Sequence, residues 1–361
     1  QTFARLDKSK APPKKSALQG GISRISDATW ERINLQLLDH AQTDKFEKGH
    51  LLRIDSTATE ANIHEPTDCS LLWDGVRTMI RLLKQAEKLT DETIPWVNHR
   101  LGAKRKAHAI FNTRGQAKKV PLYKNLLNFT YKTLGYIETA EKIVTQHGKE
   151  RLMSELWHSE VAHVKPLIVQ VIAQTERRVL QGEKVPATEK IFSIFEAHSD
   201  IIIKGAREIQ YGHKLNLCSG KSGLILDVVI ETGNPADSSR FLPMIERHKE
   251  HYGRAPRQCA ADGGYACQEN VEAARQRGVK DVVFNKKRGI AIADMAKSHW
   301  VYRKLKNFRA GIEANISTLK RTWGLSRCTW KGWEHFNAYV WSSIVSYNLT
   351  LFARLNLEQT K

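Results

Sequence analysis

No apolar run in this 361-residue sequence approaches the roughly 20 residues a membrane-crossing helix needs, and nothing after Gln1 reads as a signal peptide. Cysteine is scarce: the five residues at 69, 218, 259, 267 and 328 form no C-x-x-C pair. An odd count without paired spacing excludes a disulfide framework and a zinc knuckle, and leaves reduced, mostly buried thiols as the expectation. No internal repeat and no extended low-complexity segment is present. A soluble, intracellular, non-membrane protein is the simplest expectation. The absent initiator Met at position 1 adds the expectation of a truncated beginning.

Acidic residues are also in short supply. Lys and Arg number 57 against 38 Asp and Glu, a formal charge of +19. Such an excess favours a polyanionic partner, because neutralising phosphates releases condensed counterions. The 41% hydrophobic content is enough for a substantial core, so the charge decorates a folded chain.

Periodicity divides that chain. Residues 1–24 look loop-like, with Pro12-Pro13, Lys14-Lys15 and Gly20-Gly21 as punctuation. Ser26 or Asp27 caps a short helix carrying Trp30, Ile33, Leu37 and Leu38. Leu51–Asp55 reads as a strand ending in an acid. From Asp68 to about Gly182 apolar residues recur at three and four, as in Leu71, Leu72, Val76, Met79, Leu83, with breaks expected at Pro95, Pro121 and Gly148. After Val185-Pro186 the period changes. Strands are expected at Ile191–Phe195, Ile201–Ile203, His213–Cys218 and Leu224–Ile230, with Lys221-Ser222-Gly223 as a hairpin turn. Helix 238–250, a strand into Ala260-Ala261-Asp262, helix 268–277, strand Val282–Phe284, and helices at 301–322 and 334–354 complete the pattern. Strands in series followed by alternation indicate an α/β fold, a mixed sheet flanked by helices, interrupted after its first strand by an all-helical insertion.

Three acids stand out by position: Asp55 in Arg53-Ile54-Asp55-Ser56-Thr57, Asp262 in Ala260-Ala261-Asp262-Gly263-Gly264-Tyr265, and Glu313 in a strongly basic helix. Acids at strand ends sit where such sheets place their sites. Convergent carboxylates suit phosphodiester chemistry, since two divalent ions can activate the attacking oxygen and stabilise the leaving one, and the ions relieve the mutual repulsion of the carboxylates. Each acid also has a plain alternative. Asp262-Gly263 is a common turn dipeptide, Asp55 could simply end a strand, and Glu313 with Arg309 is an ordinary i−4 helix pair.

Around Glu313 the helix is two-striped. Leu305, Phe308, Ile312, Ile316, Leu319 and Trp323 make the packing face, and Arg309, Glu313, Ser317 and Lys320 lie beside it. Between Lys286 and Lys331 stand twelve Lys or Arg residues against only Asp294 and Glu313. Lys286, Lys287, Arg288, Arg309, Lys320, Arg321 and Arg327 are the expected DNA contacts. Trp323, Trp330 and Trp333 interleave with them, suited either to stacking on unpaired bases or to core packing.

On these residues the chain resembles the insertion-sequence DDE transposases of the ISNCY kind. Asp55-Ser56-Thr57…Glu60-x-Asn62-Ile63-His64-x-Pro66-Thr67-Asp68 resembles their first-aspartate block. Phe195-Glu196…Ile203-Lys204-Gly205 and Tyr211-Gly212-His213-Lys214 resemble the strands that follow, and Ala261-Asp262-Gly263-Gly264-Tyr265 the second block. Arg309-x3-Glu313-x6-Lys320 resembles the C-terminal signature, although Lys306 stands where related transposases have Tyr. The resemblance runs from about residue 50 to the C-terminus, with the helical block its least diagnostic portion.

The resemblance implies an RNase H-like catalytic domain formed by residues 50–67 and 186–355, a helical insertion at 68–185, and an N-terminal segment at 1–49. Family members commonly begin with a helix-turn-helix region, for which no room is found before Asp55. Asp55, Asp262 and Glu313 are then the catalytic triad and the metal ligands, holding two Mg²⁺ or Mn²⁺ ions. Arg309 and Lys320 contact transposon-end DNA, and His213 and Lys214 are secondary candidates, with a buried structural role for His213 equally open. The implied reaction is cleavage of double-stranded transposon ends and transfer into target DNA, by a homodimer or larger assembly on DNA, in the bacterial cytosol or nucleoid. A DNA-binding remnant without activity and an RNase H-like structure-specific nuclease are the alternatives.

Overall fold

A computed structural model describes residues 14–204 and 208–359. Gly205 and the Pro12-Pro13 pair lie outside the described residues. The chain divides into two compact units, Gln1–Asn62 with Asp200–Lys361, and Ile63–Ser199.

The first unit opens with helices α1 (Lys15–Ile22) and α2 (Asp27–Thr43). Helix α1 replaces the loop expected over this stretch: Leu18 and Ile22 lie one turn apart, and Ile22 packs against a core cluster. Ser26 caps α2, its hydroxyl accepting from the Thr29 amide. The strands are β1 (Leu51–Glu60), β2 (Asp200–Lys204), β3 (Glu208–Ser219), β4 (Ile225–Ile230), β5 (Gln258–Ala261) and β6 (Asp281–Phe284). They form one sheet in the order β2-β3-β1-β5-β6, with β4 also on β3. Strand β3 is antiparallel to β1, β2 and β4, while β1, β5 and β6 run parallel. The Lys221–Gly223 turn joins β3 to β4 and uses Gly223 at φ +88°, a conformation costly for residues with a Cβ.

Helices α7 (Phe241–Tyr252), α8 (Gln268–Gln276), α9 (Ile292–Met295), α10 (His299–Thr322) and α11 (Trp333–Gln359) accompany the sheet. Alternate residues of a strand face opposite sides, and both sides are covered. Leu215 and Leu217 join a buried cluster with Ile312, Leu319, Phe336 and Ile344. Cys218 and Leu226 join another with Phe241, Ile245 and Phe284. The result is a mixed sheet flanked by helices, the α/β architecture expected from the sequence.

The second unit is helical, with its own apolar core: α3 (Asp68–Leu89), α4 (Arg100–Asn112), α5 (Gln116–His147) and α6 (Arg151–Thr175). Thr67 and Ser70 close a capping box at the start of α3. Pro121 does not break the helix as expected. Helix α5 runs through it from Gln116 to His147, losing the one hydrogen bond that its missing N–H would have made. The strand expected at Ile191–Phe195 is irregular chain. Gln174 takes both backbone groups of Ile191, its amide donating to the carbonyl at 3.3 Å and its oxygen accepting from the N–H at 2.8 Å. The Ser193 hydroxyl accepts from the amides of Phe195 and Glu196. With those groups satisfied by side chains, no strand partner is required.

Candidate active site

Strand β1 is longer than the sequence suggested. Its pairing with β3 continues from Arg53–Ser219 to Glu60–Gly212, so Asp55 lies inside the strand and not at its end. Asp262 does follow the last residue of β5. The parallel register aligns Ile54 with Ala261, and the next step along each strand brings Asp55 and Asp262 side by side.

The third element is fixed by a buried polar network. Arg53 and Asp55 project from the same face of β1, because strand side chains alternate. The Arg53 guanidinium donates to Ser219 Oγ at 2.7 Å, to the Phe308 carbonyl at 3.1 Å and to Asn315 Oδ1 at 3.0 Å. Asn315 in turn donates to Tyr347 Oη at 2.5 Å and to the Gly223 carbonyl at 3.0 Å. This clamp sets both the rotation and the height of α10 on the sheet. Gly311 makes room for it: a Cβ there would lie 1.7 Å from Arg53 Nη1.

With α10 so held, Arg309 and Glu313 turn toward Asp55 and Asp262. Nη2 of Arg309 is 3.1 Å from Asp55 Oδ2, 3.6 Å from Asp262 Oδ1 and 2.6 Å from Glu313 Oε1. Exposure rises across the cluster, with side-chain values of 8% for Arg309, 14% for Asp55, 39% for Asp262 and 59% for Glu313. The cluster is therefore closed at the sheet and open on the Glu313 side. Asp55 Oδ1 accepts from the Ser56 amide at 2.8 Å, and Asp262 Oδ2 from the Gly264 amide at 3.4 Å. Nε of Arg309 is buried and has no hydrogen-bond partner among the described residues.

Whether a divalent cation suits this place can be judged from the donors. Three carboxylates converge on one positively charged nitrogen, and oxygen donors of that kind are what Mg²⁺ requires. Among the described residues no group of three or more His, Cys, Asp or Glu side chains is arranged to hold a metal ion. At the three acids it is the guanidinium that stands between the oxygens. The donor set fits a cation, and Arg309 is the cation there.

The other expected residues are spread around this centre. Lys286 lies over Gly263, where an added Cβ would meet its side chain at 2.7 Å, so its stem runs beside Asp262. Lys287 and Arg288 are exposed in the loop after β6, with Lys287 Nζ 5.8 Å from the Tyr302 ring. Lys320 and Arg321 occupy the last turn of α10. Arg327 belongs to a segment bonded to the end of β1, through the Glu60 amide to the Ser326 carbonyl and the Cys328 amide to the Glu60 carbonyl.

His213 and Lys214 are packed into the fold. His213 is fully buried, its ring nitrogen donating to the Glu231 carbonyl at 3.0 Å, between the rings of Trp333 and Phe336. Lys214 is buried as well, donating to the Pro235 carbonyl and pairing with Asp237, each at 2.6 Å. Trp323, Trp330 and Trp333 are partly buried against a core cluster. Of the two uses open to them, packing is the one this arrangement serves.

Sequence reasoning missed Arg53, Ser219, Asn315 and Tyr347. Their signal was faint: an Arg two residues before the acid, and an Asn two residues after Glu313. It also missed the Tyr265–Asn216–Glu231 chain, in which Tyr265 Oη donates to Asn216 Oδ1 at 2.7 Å and Asn216 donates to Glu231 Oε1 at 2.8 Å. Burial pushes the Tyr265 hydroxyl well above its ordinary pKa, so it remains a donor under the turn that carries Asp262.

The site is thus an acid cluster on a mixed α/β sheet, framed by a basic helix. Residues 195–349 match the family described as Transposase DDE domain. Asp262, Arg309 and Glu313 lie within the matched stretch, and Asp55 precedes it. That match does not distinguish a subfamily. Comparisons with curated proteins and with solved structures give no match.

Proposed function

We propose that this transposase cuts double-stranded transposon ends and joins them to target DNA at the site formed by Asp55, Asp262 and Glu313. The observation that carries the reading is the convergence of these three carboxylates, from two strands and a helix, on a single cationic nitrogen. Two Mg²⁺ or Mn²⁺ ions bound there would supply Lewis-acid stabilisation of the attacking and leaving oxygens.

The carboxylates hold the site's negative charge, and Asp55, nearly buried and fixed by the Ser56 amide, sets its floor. Arg309 leaves the centre for a phosphate of the bound end. That exchange is available to it because a guanidinium binds phosphate and carboxylate with the same fork of donors. In the first step a water oxygen bonds to phosphorus and the P–O3′ bond breaks, leaving a 3′-hydroxyl and a 5′-phosphate. In the second, that 3′-oxygen bonds to a target phosphorus and the target's P–O3′ bond breaks. Both are in-line displacements and can share one site.

Lys320, Arg321, Arg327, Lys286, Lys287 and Arg288 serve as phosphate contacts around it. In this reading residues 50–67 and 186–355 act as one catalytic domain, 68–185 is an insertion, 1–49 precedes it, and the working form is a homodimer or larger on DNA in the bacterial cytosol.

A second reading, a DNA-binding remnant without activity, is favoured by one observation, the ion pairing of Arg309 with all three acids. The test is strand joining with pre-cut transposon ends and Mg²⁺. Joined product supports the proposal. Nicking without joining indicates a nuclease, and DNA binding without either indicates the remnant.

A further inference from the structure

The helical unit carries a charge pattern unlike the rest of the chain. Between Glu92 and Glu138 there is no acidic residue, yet nine basic ones occur. Arg100, Lys104, Arg105 and Lys106 belong to α4, Arg114 to the turn after it, and Lys118, Lys119, Lys124 and Lys132 to α5. Seven of the nine are exposed, and Lys106 and Lys119 are half-buried. Among the described residues none of the nine has an ion pair. Elsewhere in the same unit several cations are paired, as in Arg81–Glu160, Lys165–Glu141 and Arg177–Glu183.

The buried faces explain where these cations point. Helix α4 packs through Ala103, Ala107 and Ile110, and α5 through Tyr123, Leu126, Leu127 and Thr130. On α4, Arg105 and the exposed Leu101 fall on the opposite side, while Arg100, Lys104 and the exposed Phe111 flank the packing face and are exposed. Arg100 also lines a groove of about 460 Å³ with Lys84, Lys88 and the ring of Phe195.

This charge is held against local preference. The first turn of a helix favours acids, because the macrodipole is positive there. Instead α4 begins at Arg100, α5 has Lys118 and Lys119 in its first turn, and neither helix has an acid in that turn. Arg100 and Lys104 are like charges one turn apart, which weakens the helix further. Nothing internal offsets these costs, whereas a polyanion would. Helix α4 is about 20 Å long, and duplex DNA carries a charge every ~1.7 Å of its axis, so several of these cations can meet phosphates together.

We propose that the acid-free face of α4 and the first half of α5, continued into the groove at Arg100, is a further DNA-contacting surface that grips the phosphodiester backbone of duplex DNA. It rests on the reading of the chain as a DNA-handling transposase, and adds a surface which that reading did not include.

The experiment is duplex binding by the full chain over a salt series. The triple variant Arg100→Gln/Lys104→Gln/Arg105→Gln is compared with the charge-matched control Lys149→Gln/Arg151→Gln/Arg177→Gln, whose residues are paired with acids. Each lost phosphate contact lowers the slope of log K against log salt by about 0.9. The first variant is expected to lose roughly two to three in slope and on the order of tenfold or more in affinity at low salt, and the control to stay near wild type. Lys118→Gln/Lys124→Gln/Lys132→Gln gives an independent reading from α5. Equal slopes for all the proteins overturn this inference while leaving the active-site reading intact. A wild-type chain that binds no duplex overturns both. Phosphatidylserine vesicles are the second probe: variants that lose vesicle binding but keep the wild-type DNA slope show a membrane-facing surface, and overturn the proposal.

Discussion

Arg309 and Asp55, 254 positions apart in the chain, meet at 3.1 Å between a guanidinium nitrogen and a carboxylate oxygen. Arg309 contacts Asp262 and Glu313 through the same nitrogen. A single side chain thus pairs with three acids and offsets part of the mutual repulsion that opposes their gathering.

Replacing any one acid by its amide, as in Asp55→Asn, Asp262→Asn or Glu313→Gln, keeps the shape and removes the charge. End cleavage is expected to fall at least roughly 1000-fold, about 4 kcal/mol of transition-state stabilisation, while duplex affinity and thermal unfolding stay close to wild type. Asp262→Asn is the most informative of these. If it unfolds the chain, Asp262 serves its turn and not a reaction.

Gly311→Ala separates the clamp from ordinary helix propensity. In an exposed helix interior this change stabilises by about 1 kcal/mol. Here the new Cβ would occupy the place of Arg53 Nη1, displacing a buried guanidinium from Ser219, Phe308 and Asn315. A loss of roughly 2–4 kcal/mol is expected instead, read from denaturant unfolding. Stabilisation would show that Arg53 does not set the position of α10.

Acid sensitivity is expected from His248. Its ring is buried, one nitrogen donating to the Gly49 carbonyl at 2.9 Å, and burial lowers its pKa from 6.5 to about 4. The folded chain therefore binds this proton less readily than the unfolded one. The stability it contributes is present above pH 6.5 and is lost as pH falls from there toward 4, in total about 3 kcal/mol. His251, lowered mainly by burial too, acts in the same direction. The check is unfolding free energy against pH for wild type and His248→Gln, with a flatter curve for the variant.

Much of this was legible from the sequence, for identifiable reasons. The α10 stripe is a plain 3.6-residue period, and Leu305, Ile312 and Leu319 are all buried. Asp262-Gly263-Gly264 reads as a turn and is one, with Asp262 capping it. What failed depended on partners distant in sequence. Strand β1 continues past Asp55 because β3 offers partners as far as Gly212, which no local pattern reveals. Ile191–Phe195 has strand composition, but Gln174 takes the backbone groups of Ile191 and Ser193 accepts from the Phe195 amide. In α6, Leu152 and Leu156 share the apolar period yet are 68% and 57% exposed, because Trp157, bonded to the Leu82 carbonyl, sets which face turns inward. The gathering of the three acids was expected, but their pairing with Arg309 was not, since ion pairs across 254 residues leave no trace in spacing.

The most direct test is a crystal structure of the chain with Mn²⁺ and a transposon-end duplex, read from the anomalous signal of manganese. The expected result is Mn²⁺ at Asp55, Asp262 and Glu313, with Arg309 turned out of the centre onto a DNA phosphate. Manganese bound elsewhere, or Arg309 still seated among the three carboxylates in a complex that cleaves, would contradict it.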